Sequence, residues 1–282
     1  MVEEPNSDIA TPFLRWAGSK RWLLPSLREM IPSDFGTYYE PFLGSGAVFF
    51  QVADGHSANL SDAIAPLISC YETVRDEPET VATLASGWKT DADTYYSVRA
   101  ADFSDDPIRA AARFIYLNKL CFNGLYRENQ SGKFNVPYGR PKSPNVADAS
   151  QLLAVANRLT AGVQLKVCDF EVALSTCGAG DLVYLDPPYV SGHRSNGFVD
   201  YNAKIFSWDD QRRLASVFRE LDSRGVFVIQ SNADHPSVRE LYEGYEFRTA
   251  SRYSSMAAKA DKRGKSNELL ILSGSLLVGG QL

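Results

Sequence analysis

The sequence is poor in the residues that bind soft metals or cross-link a chain. It has three histidines (His56, His193, His235) and four cysteines (Cys70, Cys121, Cys168, Cys177), with no C-x-x-C pair. Scattered in this way they form neither a zinc spacing nor a disulfide framework, so no metal is expected and reduced thiols in a cytosolic protein are. No run of about 18 apolar residues occurs, so no membrane span is expected. The N-terminus, Met1-Val2-Glu3-Glu4-Pro5, is acidic where a secretory signal is basic. Positive charge is not in excess either: 29 Lys and Arg face 34 Asp and Glu, a net charge of −5. That argues against a blanket nucleic-acid coat and leaves local patches open. Internal repeats and low-complexity tracts are absent. What remains is a chain of 282 residues, 44% hydrophobic and 22% charged. It can fill a core, and its length suits one domain enlarged by an insertion.

The charge is unevenly spread. Residues 54–107 hold eleven acidic and three basic side chains, whereas residues 109–142 hold seven basic ones against Glu128 alone. Residues 15–28 and 252–265 are two further basic stretches. Such clusters on an acidic chain predict a local footprint for a polyanion.

Short apolar or β-rich runs predict strands over 37–40, 58–61, 163–167, 182–186, 226–230, 245–252 and 268–272. Helical patterns lie between several of them. Ser207-Trp208-Asp209-Asp210 is a capping box that opens a helix running to Leu221. This alternation is the grammar of a doubly wound, mainly parallel α/β sheet. Residues 64–161 break it. They read as helices, including 108–122 after Asp106-Pro107, then a hairpin over 125–138 turning at Asn129-Gln130-Ser131-Gly132, then a helix over 150–160. This stretch is taken as a second, smaller domain.

The sharpest chemical signal is Leu182-Val183-Tyr184-Leu185-Asp186-Pro187-Pro188-Tyr189. Ligands of parallel sheets sit at the carboxyl ends of strands. The prolines stiffen the turn and remove N–H donors, leaving carbonyls as acceptors. Asp186 and a neighbouring carbonyl suit an exocyclic amino group, and the Tyr189 ring offers a face to a planar base. After the first strand, Glu40-Pro41-Phe42-Leu43-Gly44-Ser45-Gly46 lets backbone approach a ligand. It has Phe49 where a dinucleotide fingerprint has its third glycine, and it lacks a P-loop Lys, so a nucleoside without phosphates fits better. Asp62, at the end of the second strand, can accept from ribose hydroxyls.

Together these residues resemble the amino-group DNA methyltransferases that use S-adenosylmethionine, and most closely the Dam-like adenine-N6 enzymes. The resemblance spans nearly the whole chain. Phe13-Leu14-Arg15-Trp16-Ala17-Gly18-Ser19-Lys20-Arg21 is similar to that family's N-terminal motif, and Asp169-Phe170 to the pair framing the cofactor adenine. Phe122-Asn123-Gly124-Leu125-Tyr126-Arg127 and Gly132–Gly139 resemble the DNA-recognition hairpin. The motif order is that of the alpha group. The resemblance implies a seven-stranded Rossmann-like sheet, a catalytic domain of residues 1–63 and 162–282, and a mainly helical target-recognition domain of residues 64–161. It implies cofactor contacts at Trp16, Lys20, Glu40, Phe42, Gly44, Gly46, Asp62, Asp169, Phe170 and Asp186. Catalysis falls to Asp186, Pro187, Pro188 and Tyr189. DNA contacts fall to Asn123, Arg127, Asn129, Gln130, Ser131, Lys133, Asn135, Pro137 and Arg140. Glu128, Gln130 and Ser131 depart from the best-known members, so the fold and chemistry transfer better than the target sequence. GATC is the first site suggested.

The implied chemistry is direct transfer. The adenine amino lone pair is conjugated into the ring. Hydrogen bonds from its two hydrogens to Asp186 and the Pro187 carbonyl favour a tetrahedral nitrogen that attacks the sulfonium methyl in line. In a duplex the base must first be flipped out, and Tyr189 can stack on it. The loop over 191–202 is expected to be mobile until the target base enters. Double-stranded DNA is the expected partner, without membrane or metal, for a monomer in the cytoplasm, at the nucleoid of a prokaryote or phage host. Methylation of cytosine N4, of RNA or of a protein side-chain amide, and a catalytically silent DNA-binding regulator, are the competing readings. The basic hairpin weighs against a protein substrate. The intact Asp186 and glycine loop weigh against the regulator. The H-x-E…P-C-x-x-C signature of base deaminases is absent.

Overall fold

The computed structural model of the chain describes residues 10–189, 206–253 and 265–279. Its strands are β1 (Tyr38–Glu40), β2 (Ala58–Asp62), β3 (Val163–Val167), β4 (Leu182–Leu185), β5 (Phe227–Ala233), β6 (Glu246–Tyr253) and β7 (Lys265–Leu272). They form a seven-stranded, mostly parallel sheet in the order β3-β2-β1-β4-β5-β7-β6, with helices flanking it. The pairs β2/β3, β1/β4 and β4/β5 are parallel, and β7 lies antiparallel to both β5 and β6. Each strand expected from the sequence is present, most with edges shifted by one to three residues. The loop over 191–202 lies outside the described residues, as does most of the basic stretch over 252–265.

Compactness divides the chain into two units, one of Met1–Trp22 with Leu43–Cys168 and one of Leu23–Phe42 with Asp169–Leu282. The first unit holds β2, β3 and five longer helices: α1 (Ala65–Asp76), α2 (Pro78–Gly87), α3 (Ala92–Ala100), α4 (Pro107–Leu120) and α5 (Ala149–Arg158). Their starts follow from local chemistry. Asp91, Asp106 and Asp148 each accept a backbone N–H of the first turn, and α1, α2 and α4 carry proline there. The apolar face of α4 buries Ala112, Ile115, Tyr116 and Leu120. Arg113, on the same helix, donates to the carbonyls of Val98 (2.9 Å) and Arg99 (2.6 Å), satisfying the C-terminal end of α3. The sequence predicts α4 through Phe122, but it stops at Leu120. Cys121 is extended, and Asn123 takes a left-handed conformation with φ 56°.

The second unit packs α6 (Phe170–Leu174) and α7 (Trp208–Ser223) with a core that includes Val183, Leu185, Leu214, Phe218, Leu269 and Ile271. The expected capping box is present: Ser207 Oγ accepts the Asp210 N–H, and the Asp210 side chain accepts the Ser207 N–H.

Candidate active site

In the second unit, β4 delivers Asp186-Pro187-Pro188-Tyr189 at its carboxyl end, Pro187 buried and the other three half-buried. Three buried polar groups of neighbouring elements hold this turn. Ser231, on β5, donates to Asp186 Oδ1 at 2.8 Å and accepts from the Tyr184 hydroxyl at 3.0 Å. Asn232 donates to Gln211 Oε1 (3.1 Å) and Gln211 donates to the Pro188 carbonyl (3.3 Å), which fixes the second proline from α7. Glu268, on β7, accepts the Tyr189 hydroxyl at 2.5 Å. Burial, followed by the Asp186 charge, raises the Tyr184 and Tyr189 phenols well above the ordinary tyrosine value, so both stay protonated donors. Tyr184, Ser231, Asn232, Gln211 and Glu268 were not singled out by sequence reasoning. The available signal was polar character inside two apolar strands, Gln230-Ser231-Asn232 and Glu268.

Other sequence-predicted residues lie in the same unit. The Tyr38 hydroxyl donates to buried Glu40 at 2.8 Å, and burial ahead of the Glu40 charge raises the Tyr38 phenol. Phe42 packs on Phe170, with ring centroids 5.7 Å apart. Asp169 accepts the Glu171 N–H that opens α6, and it pairs with Arg213 at 3.0 Å. The Arg213 guanidinium also lies 4.8 Å from the Phe170 ring centroid.

The first unit places Asp62 at the end of β2. Its carboxylate accepts the Gly44 N–H and the Ile64 N–H, each at 3.1 Å. Burial lifts its pKa from 3.8 to about 6, against the downward pull of the Gly44, Ile64 and Ala63 N–H groups. A carboxylate with two oxygens still has lone pairs for a ribose hydroxyl. Gly44 adopts φ +48°, its carbonyl accepts the Tyr71 hydroxyl at 3.1 Å, and a Cβ on it would lie 2.8 Å from the Trp16 indole. Nearby Gly46 also takes a left-handed conformation, φ 64°. Lys20 is buried and donates to the Gly18 carbonyl at 2.9 Å. Asn118, buried at the end of α4, bonds both backbone groups of Arg15, at 2.8 and 2.7 Å. Asn118 was not anticipated either. These residues fit a nucleoside that lacks phosphates: an anchored carboxylate, a glycine turn and an indole, with no phosphate cradle.

The predicted hairpin is present as a loosely bridged ribbon. Antiparallel bridges join Cys121 with Tyr138 and Glu128 with Phe134. The turn closes with Asn129 N–H to the Lys133 carbonyl (2.9 Å) and Gly132 N–H to the Asn129 carbonyl (3.0 Å). Asn129 Oδ1 accepts the N–H groups of Ser131 and Lys133, so its side chain builds the turn. Arg127 Nε donates to Asn135 Oδ1 at 2.7 Å, across the ribbon. The Val136 carbonyl takes the Tyr95 hydroxyl (2.9 Å) and Arg99 (3.2 Å), which moors the returning arm to α3. The Pro137 carbonyl accepts the Phe122 N–H. Asn123, Gln130, Ser131, Lys133, Pro137 and Arg140 are exposed. Trp16 stacks on Tyr126, with centroids 6.1 Å apart and planes 21° apart, and Tyr126 lies 5.8 Å from Phe134. Among the described residues, no three His, Cys, Asp or Glu side chains cluster as metal ligands, and no helix is long and apolar enough to cross a membrane.

The family model of the D12 class N6 adenine-specific DNA methyltransferases matches residues 16–256. The type II methyltransferase M1.LlaDCHI of Lactococcus lactis subsp. cremoris is 35% identical over 92% of the chain and 94% of its own length. The type II methyltransferase M.MjaIII of Methanocaldococcus jannaschii is 35% identical over 93% of the chain and 98% of its own. The DNA adenine methylase of Escherichia coli K12 is 33% identical over 92% and 94%. The chain belongs to the D12 class N6 adenine-specific DNA methyltransferases.

Proposed function

We propose that the chain methylates adenine N6 within a short duplex sequence by direct in-line transfer to a flipped base, with S-adenosylmethionine as the donor. Bound S-adenosylmethionine supplies a methyl group activated by its positive sulfur. Asp62, Gly44, Gly46, Trp16, Lys20, Glu40, Phe42, Asp169 and Phe170 are assigned to holding that cofactor. Asp186 and the Pro187 carbonyl accept the two amino hydrogens of the target, which directs the nitrogen lone pair at the methyl group. On transfer the N–C bond would form as the C–S bond breaks, leaving the sulfur as a neutral thioether; the positive charge appearing on nitrogen would face the Asp186 carboxylate and be discharged when one amino hydrogen leaves as a proton to solvent. Tyr189 supplies the stacking face.

The observation that supports this reading most is the fixing of Asp186 by Ser231 at 2.8 Å. A carboxylate oriented before the substrate arrives needs little reorganisation during reaction. Residues 1–63 and 162–282 are assigned to catalysis and residues 64–161 to target recognition. The ribbon residues Gln130, Ser131 and Pro137 are assigned to base reading, and Arg127, Lys133 and Arg140 to phosphates. A monomer acting on chromosomal DNA in the cytoplasm is sufficient for this chemistry.

GATC is the first target to test. Purified protein is given tritiated S-adenosylmethionine and duplexes with and without GATC, followed by nucleoside analysis. Label in N6-methyl-2′-deoxyadenosine supports the reaction, and label in N4-methyl-2′-deoxycytidine contradicts it. Equal labelling of duplexes lacking GATC rejects that target alone.

A further inference from the structure

Behind Tyr189 stands a carboxylate to which none of the family motifs assigns a role. Glu268 opens the apolar run Leu269-Leu270-Ile271-Leu272 of β7 and is only 8% exposed. Its cross-strand partners are Ala233 on β5 and Ala250 on β6. Residues directly opposite share one face of a sheet, so the cross-strand neighbours of Glu268 on that face are two methyl groups. A buried carboxylate is costly unless it is hydrogen-bonded. Here Oε1 accepts the Tyr189 hydroxyl at 2.5 Å.

We propose that Glu268 is a positioning residue for methyl transfer: its carboxylate holds the Tyr189 phenol and so fixes the ring plane on which the target adenine stacks beside Asp186. This rests on the assignment of Asp186 and Tyr189 to the target base. A phenol has one hydrogen to donate. Glu268 takes it, which withdraws Tyr189 from proton transfer and leaves the ring face as its working part. The Asp-Pro-Pro-Tyr turn restrains the backbone, but the tyrosine side chain keeps two rotatable bonds. Fixing the far end of the ring at Glu268 removes that freedom. In-line transfer depends on near-attack alignment of the amine and the methyl group.

The test compares single-turnover methylation by Glu268→Gln, Glu268→Ala, Tyr189→Phe, Tyr189→Ala and the double variant Glu268→Ala/Tyr189→Phe. Cofactor and DNA dissociation constants are measured beside the rates. Glu268→Ala and Tyr189→Phe, which remove the same bond from opposite sides, are expected to slow transfer by about tenfold to a hundredfold. Both dissociation constants are expected to stay near wild type. The double variant should be no slower than the slower single, the pattern of two residues acting through one contact. Glu268→Gln retains an acceptor for the phenol and should recover most of the rate. Thermal melts check folding. Should Glu268→Ala fail to fold, Tyr189→Phe and Glu268→Gln carry the comparison. Wild-type rates in Tyr189→Phe, or a Glu268→Gln rate as low as that of Glu268→Ala, would overturn the proposal. If Tyr189→Ala also transfers at the wild-type rate, the assignment of Tyr189 to the target base fails with it. If Tyr189→Ala is slow and Tyr189→Phe is not, only the role of Glu268 fails.

Discussion

Ser231 Oγ lies 2.8 Å from Asp186 Oδ1, joining the ends of two adjacent parallel strands. Leu185 pairs with Gln230 in register, so the serine one residue further along β5 stands beside the aspartate one residue further along β4. The Tyr184 hydroxyl donates to the same serine from inside the sheet. Asp186 is therefore oriented by a chain of hydroxyls that begins in the core.

Ser231→Ala removes the middle of that chain. Transfer should slow by about tenfold, the equivalent of one modest hydrogen bond. The Tyr184 hydroxyl loses its acceptor in the core, so stability should fall by about 1–3 kcal/mol. Single-turnover rates and urea denaturation read the two effects separately. Cofactor affinity should not change.

Asp62→Ala should weaken cofactor binding by about 1–3 kcal/mol, the cost of leaving a buried hydroxyl donor without its acceptor. With a pKa near 6, Asp62 is the ionised acceptor only above that pH. Affinity for S-adenosylmethionine, followed by calorimetry, should therefore decline as pH falls through 6. Stability of the unliganded chain runs the other way. The folded pKa is raised above the ordinary 3.8, so the stabilisation is complete below about pH 4 and lost as pH rises through 6. Asp62→Ala should flatten both profiles between pH 4 and 7.

Gly44→Ala tests the glycine turn. At φ +48° a Cβ is strained, and it would lie 2.8 Å from Trp16 Cδ1 and Nε1. Strain alone costs about 1–2 kcal/mol. Gly55→Ala, at φ +77° with nothing within 4 Å, isolates that strain. Gly44→Ala should be the more destabilised of the two, with shifted tryptophan emission and weakened cofactor binding.

Much of this fold is legible in local sequence. The β3 run Val163–Val167, the Ser207 capping box and the strand leading into Asp186 follow from short-range patterning. The antiparallel placement of β7 between β5 and β6 does not, because an apolar run carries no direction. Ser231 and Glu268 escaped notice for the same reason. Ser231 reaches the tetrapeptide through the pairing of β4 with β5, 45 residues on, and Glu268 reaches it from β7 on the far side of β5, 79 residues on. The turn at Asn129 is legible in Asn129-Gln130-Ser131-Gly132, but that its side-chain Oδ1 builds the turn by accepting two backbone N–H groups is visible only in the structure.

The ribbon should separate affinity from specificity. Lys133→Ala should weaken cognate and non-cognate DNA alike and lower the magnitude of the salt slope by about 0.9. Gln130→Ala should instead reduce discrimination by about 1–3 kcal/mol at one base pair. Binding titrations at several salt concentrations, on matched and single-mismatch duplexes, distinguish them. Asn129→Ala should loosen the turn and affect both quantities.

The central claim is that Asp186 presents the adenine amino group for methylation. Its most direct test is modified-base sequencing of DNA from cells expressing the wild-type chain or Asp186→Ala, with cofactor binding of both proteins measured by calorimetry. N6-methyladenine at one recurrent short sequence with the wild type, its loss with Asp186→Ala and largely intact cofactor binding are the predicted results. Methylation by Asp186→Ala within about tenfold of wild type, or modification of cytosine in place of adenine, would contradict the account, since a tenfold change is worth only about 1.4 kcal/mol at the transition state.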